Sequence, residues 1–149
     1  MFSTKSTQIS MKRRKTVTTY KKLSGECLCG NVSWSMKGPF DFFGLCQCSL
    51  CRKLTGSGFA SNLFVKFDQF QWISGKQNIF DFDMPKPSNF ISASCKTCGS
   101  RVPRIFGRSK KMVLIPYGST VDVPEIQPTL VCYEDHTKWF TNLKNAIGN

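Results

Sequence analysis

Seven of the eight cysteines in this chain fall into three tight groups: Cys27-Leu28-Cys29, Cys46-Gln47-Cys48-Ser49-Leu50-Cys51 and Cys95-Lys96-Thr97-Cys98. Thiolates hold a metal four at a time where the site is structural, and three at a time where a position is left for substrate. A four-plus-three partition is therefore the first expectation. Cys27, Cys29, Cys95 and Cys98 read as two halves of one closed tetrahedral site. Each pair is followed by a glycine, Gly30 or Gly99, which lets the chain fold back so that amide N–H groups face the sulfurs. A metal clip across the 65 residues between the pairs offsets a large loop-closure entropy. The alternative is that each pair binds a metal separately.

Cys46, Cys48 and Cys51 remain. Three thiolates on Zn²⁺ give a site of net charge −1 with one coordination position open. Three electron-rich sulfurs make such a metal a poor Lewis acid for polarising a carbonyl. It is well suited to keeping a further thiol in its nucleophilic thiolate form at neutral pH. Arg52 and Lys53 follow the last ligand directly and are candidates to offset this charge or to bind an anionic substrate. No catalytic residue is expected beyond the inner zinc site itself. Cys132 could instead close that site as a fourth ligand, although Leu130-Val131-Cys132-Tyr133 reads as a buried strand. His136, the only histidine, follows Glu134-Asp135 and reads as a surface residue rather than a proton shuttle. Ser57 has no evident base, and neither paired carboxylates nor a phosphate-cradling loop is present.

The remaining composition bounds these readings. A chain of 149 residues has enough surface to bury for one good core but not two. No apolar run reaches the roughly 18 residues that would span a bilayer, and no apolar signal core follows the N-terminus. A soluble cytoplasmic protein is expected, and there clustered cysteines point to metal or redox chemistry rather than structural disulfides. A redox protein would be metal-free, and unligated core cysteines are the third reading. The formal charge of +12 is uneven: residues 1–22 carry seven Lys and Arg and no acid, and the other residues carry 14 basic and 9 acidic groups. Two zinc ions on seven thiolates would bring the body to about +2. The expected organisation is a basic flexible tail, 1–22, and a zinc domain, 23–149. The tail could be a solvated appendage, a mitochondrial presequence, or a nuclear or nucleic-acid arm built on Lys12-Arg13-Arg14-Lys15. A non-catalytic zinc module that associates with nucleic acid or chromatin through this tail is accordingly the alternative to an enzyme.

The elements that must position these groups are short. Runs at Asn31–Met36, Phe40–Leu45, Ala60–Phe67, Gln69–Ile73, Asn78–Phe82, Phe90–Ser94, Val102–Phe106, Lys111–Pro116 and Thr129–Tyr133 read as strands between Gly and Pro turns. One helical turn is expected around Ser49–Leu54 and a short helix over Lys138–Ala146, with Trp139-Phe140 packing the C-terminus. The class is all-β: several small coiled sheets with little helix.

These residues together resemble the glutathione-dependent formaldehyde-activating family, also described as the centromere protein V/GFA domain. The resemblance runs in order through Gly25-Glu26-Cys27-Leu28-Cys29-Gly30-Asn31-Val32, Cys46 to Lys53, and Gly56-Ser57-Gly58-Phe59-Ala60. It continues through Trp72 before Ser74-Gly75-Lys76, Cys95 to Ser100, Gly118-Ser119 reaching Asp122, and Trp139, covering about residues 23–141. It implies an Mss4-like fold with a structural zinc on Cys27, Cys29, Cys95 and Cys98. A labile catalytic zinc is implied on Cys46, Cys48 and Cys51. The implied activity is that of a carbon–sulfur lyase joining formaldehyde to glutathione as S-hydroxymethylglutathione. Two departures bear on substrate preference: Gln47 and Leu130 stand where many relatives carry histidine. Fold membership alone does not fix the substrate.

Overall fold

The computed structural model of the chain describes residues 22–84, 91–106, 111–122, 128, 130–132 and 142. In chain order the elements are β1 (Lys22–Glu26), β2 (Ser33–Lys37), β3 (Phe42–Cys46), α1 (Ser49–Thr55), β4 (Ala60–Lys66) and β5 (Phe70–Ser74). They continue with β6 (Ile79–Asp83), β7 (Ile91–Cys95), β8 (Arg104–Phe106), β9 (Met112–Pro116) and β10 (Leu130–Cys132). Single 3-10 turns stand at Phe67–Gln69, Lys76–Asn78 and Tyr117–Ser119. Three small sheets result, ordered β1-β2-β5, β10-β3-β4-β9-β8 and β6-β7. Every pairing is antiparallel except that of β10 with β3. The all-β class expected from the sequence is the one observed.

The five-stranded sheet organises the molecule because its two faces differ. Residues opposite one another across a sheet share a face, and alternate residues along a strand change face. One face carries Phe43, Leu45, Leu63, Val65, Val113 and Ile115, all buried. They join Leu23, Val32, Trp34 and Met36 of the β1-β2-β5 region in a single core. Each such side chain contributes about 1.5–3 kcal/mol by leaving water. The other face begins with Cys46 and continues through Gly44 and its partner Asn62 to Leu114 and its partner Arg104. Asn62 and Arg104 on this face are also buried. One side of the sheet therefore closes the core, and the other carries two buried polar residues, Asn62 and Arg104, beside Leu114 and the stacked Phe42–Phe64 pair.

The expected strands are all present within a few residues. Val102 and Pro103 precede β8 rather than belonging to it: Val102 N–H bonds to Ala93 O at 3.1 Å, and Pro103 has no N–H for a ladder. β1 was not among the expected strands, since Lys-Leu-Ser-Gly-Glu shows little alternation. It exists because Gly25 lies opposite Trp34, where a Cβ would come within 2.5 Å of the indole ring. The ring occupies the space a side chain would take. Trp34 meets Trp72 edge to face at 6.3 Å, and Trp72 meets Phe70 likewise at 5.0 Å, packing that favours aromatic pairs. The expected C-terminal helix, with Trp139 and Phe140, lies outside the described residues apart from Asn142.

Candidate metal centres

Cys27 and Cys29 follow β1, while Cys95 ends β7 and Cys98 follows it. The two segments repeat one turn. Cys27 N–H donates to Val32 O and Gly30 N–H to Cys27 O; Cys95 N–H donates to Ser100 O and Gly99 N–H to Cys95 O, each at 2.9 Å. Both turns need a left-handed residue, and Gly30 (φ 74°) and Gly99 (φ 73°) supply it without the penalty a Cβ would bring. The turns are also bonded to each other. Leu28 N–H donates to Ser100 Oγ at 3.0 Å, and Asn31 Nδ2 donates to Thr97 Oγ1 at 3.1 Å. The 65 residues between the pairs are thereby spanned at one point.

The four sulfurs lie within 4.8 Å of one another. Cys27 and Cys29 Sγ are 3.5 Å apart, and Cys29 and Cys95 Sγ are 3.8 Å apart. A tetrahedron of sulfurs about 2.3 Å from a central zinc has edges of about 3.8 Å, so the cluster fits such an ion. Val32 N–H donates to Cys27 Sγ at 3.3 Å. Ser100 Oγ, which accepts from Leu28, also lies 3.3 Å from Cys98 Sγ, the two being hydrogen-bonded. Hydrogen bonding from the Ser100 hydroxyl and amide holds Cys98 down at about 5. Amides of Cys98 and Thr97 lower Cys95 as well. The Asn31 amide lowers Cys29 too, but burial and the crowding of Cys27, Cys98 and Cys95 outweigh it and carry that thiol to about 12. Four thiols in this space cannot all ionise without a cation among them, which is the donor chemistry of a metal site.

The inner cluster is built where β3 runs into α1. Cys46 is the last residue of β3. Cys48 caps α1 with its sulfur, which accepts from Cys51 N–H at 3.4 Å, and Cys51 lies in the first turn. Thr55 Oγ1 donates to Cys51 O at 2.9 Å, and the helix stops at Gly56. The three sulfurs lie within 4.8 Å of one another and are half-buried. Cys46, then burial, then Cys48 push the Cys51 thiol well above the ordinary range. As a donor set it fits a thiophilic cation in the same way, with three cysteine ligands among the described residues rather than four.

Of the predicted substrate residues, Lys53 is exposed and Arg52 half-buried. Arg52 Nε is shielded and has no hydrogen-bond partner among the described residues. Gln47, between two ligand positions, is fully buried, and its amide also lacks a partner among them. Cys132 stands opposite Cys46 in the parallel β10–β3 register; its side chain, like the whole of His136, lies outside the described residues. The sequence reading missed Arg101 and Arg104. Burial pushes both guanidinium groups down, Arg101 lowers Arg104 further, and the charge of Cys51 raises both. An arginine in the middle of a run otherwise apolar enough to be read as a strand, Val102–Phe106, was the available signal.

No helix among the described residues is long and apolar enough to cross a membrane. Comparison with known proteins places the chain. It aligns with a solved crystal structure of a Rhodobacter sphaeroides protein from a structural-genomics programme. The alignment has 20% identity and a TM-score of 0.54, and covers 68% of this chain and 91% of that one. That likeness concerns the fold. None of the curated proteins matches the chain significantly. The sequence pattern of the glutathione-dependent formaldehyde-activating enzymes matches residues 22–136, a span that holds both cysteine clusters and the sheet between them. The chain belongs to the glutathione-dependent formaldehyde-activating enzyme family.

Proposed function

We propose that this protein is a two-zinc carbon–sulfur lyase in which Cys46, Cys48 and Cys51 hold the ion that activates a thiol, with glutathione as the thiol and formaldehyde as the electrophile. Cys27, Cys29, Cys95 and Cys98 hold the structural ion. The observation that carries this reading is the contrast between the clusters among the described residues: four converging sulfurs in one, three in the other. A zinc ion on the inner three would supply a lowered pKa to an added thiol. The chain's own part is to orient and to shield. The β3–α1 junction fixes the three sulfurs, buried Gln47 limits water around them, and Arg52 and Lys53 offer positive charge at the rim. In the reaction, sulfur bonds to the carbonyl carbon, the C=O π pair moves to oxygen, and oxygen takes a proton. No oxidant is required. The domain carrying this activity is residues 23–149, with 1–22 an appended basic segment.

The test is the rate at which S-hydroxymethylglutathione exchanges with its components, followed by exchange NMR, together with metal content by mass spectrometry. Purified protein should carry two zinc ions and accelerate exchange beyond the spontaneous rate. Cys48→Ser should keep one zinc and lose the acceleration, while Cys132→Ser should keep both. An unchanged rate in Cys48→Ser would remove the inner cluster from the mechanism.

A further inference from the structure

We propose that the open edge of β6 docks an extended basic segment of a partner protein, which adds to the β6–β7 sheet as a further strand. Among the described residues β6 pairs with β7 alone. The far side of β7 is already taken: Val102 N–H donates to Ala93 O at 3.1 Å, and Arg101 bridges to Ser94. β7 is also rooted in the core through buried Ala93 and Cys95. A hairpin standing by itself is marginal, and this rooting gives the outer strand a fixed support. The successive residues Phe80, Asp81, Phe82 and Asp83 are all exposed, Phe80 at 56% and Phe82 at 45%. Side chains alternate along a strand, so exposure of successive residues means that both faces of β6 are open. Sheet edges are ordinarily blunted by lysine, proline, a bulge or a covering element. β6 has no lysine or proline, and its register with β7 runs without a shift.

Charge decides between occupants. Phe80 and Phe82 share one face of the sheet with Ser94 and Ser92, and Asp81 and Asp83 share the other with Ala93 and Ile91. The two strands carry no basic residue, in a chain that holds 21 Lys and Arg against 9 Asp and Glu. Lys76 and Lys96 stand at the turn end of the hairpin, where Lys96 Nζ donates to Gln77 O at 3.0 Å. Neither aspartate is engaged in an ion pair among the described residues. Pairing the whole strand with a second copy would set Asp81 against Asp81 and Asp83 against Ile79, and directly opposed like charges are unfavourable. The aspartates thus discourage self-association and favour a strand whose basic side chains alternate with apolar ones. Its bases would lie against Asp81 and Asp83 and its apolar groups beside Phe80 and Phe82. Main-chain hydrogen bonds along the edge supply affinity in this mode of recognition, and the alternate side-chain contacts supply selectivity.

Fluorescence anisotropy of the full-length, zinc-loaded protein with a labelled heptapeptide of alternating lysine and valine tests this, with an alternating glutamate–valine heptapeptide as the counterpart. The lysine peptide should bind more tightly than the glutamate peptide by about tenfold or more, and added salt should narrow the gap. The double variant Asp81→Lys, Asp83→Lys should reverse the preference. It should keep the parent's metal content and melting temperature, since both side chains are exposed. Phe82→Thr, which keeps a strand-forming residue, should weaken the lysine peptide by about threefold or more. Strand addition has a further signature, because only alternate amides of an added strand point to the edge it joins. N-methylation of one alternate set of peptide amides should abolish binding, and methylation of the other set should largely spare it. Equal loss from both sets, or binding that follows total charge and ignores Asp81 and Asp83, overturns the proposal. So does a dimer of the protein alone, seen by sedimentation equilibrium and dispersed by Phe82→Thr, because the occupant of the edge is then a second copy.

Discussion

Ser100 shows how a single hydroxyl can serve both halves of one cysteine cluster. It accepts from Leu28 N–H on one cysteine turn and lies against Cys98 Sγ on the other. Ser100→Ala removes both interactions, and because the Leu28–Ser100 bond is exposed the cost to stability is about 0.5–1.5 kcal/mol. The expected outcome is faster loss of one zinc ion to a chelator, read with a metallochromic dye, while the inner ion leaves at its former rate. The grouping of the cysteines was legible in the sequence because short spacing is a local property. The half-burial of Arg101 and the burial of Arg104 were not, because both follow from tertiary packing. Gln47 belongs with them: its place between two cysteines was plain, but its complete burial is a fact of packing.

At the level of elements, the five-stranded sheet separates two tasks by face. Truncation on the core face should act on stability alone. Leu63→Ala opens a cavity in a fully buried position and should lower unfolding free energy by about 2–5 kcal/mol. Denaturant titration measures it, with two zinc ions retained per folded chain. Gly25→Ala tests the strand that patterning missed. A methyl group 2.5 Å from the Trp34 ring has to displace a large buried side chain, at a cost of about 1–3 kcal/mol. A variant as stable as the parent would show that β1 yields readily. Strands with alternating or wholly apolar residues were readable because their periodicity records which face is buried. β1 was not, since what holds it is the shape of a tryptophan contributed by its neighbour.

Across the whole molecule, the outer cysteine cluster joins the β1–β2 region to β7 over 65 residues, so an ion bound there would be coupled to folding. Cys95→Ser should therefore lower the melting temperature sharply, whereas Cys48→Ser should alter it little; differential scanning calorimetry of both decides. Equal shifts would mean that the two clusters do not divide structural from chemical work. The all-β class, the grouping of seven cysteines into four and three, and the family followed from the sequence by itself. Each depends on residue type and short spacing, which tertiary packing does not alter. Tertiary structure alone decided which sheet face bears the buried Asn62 and Arg104. Residues far apart in the chain come to share a face only through strand register, and no local pattern records that.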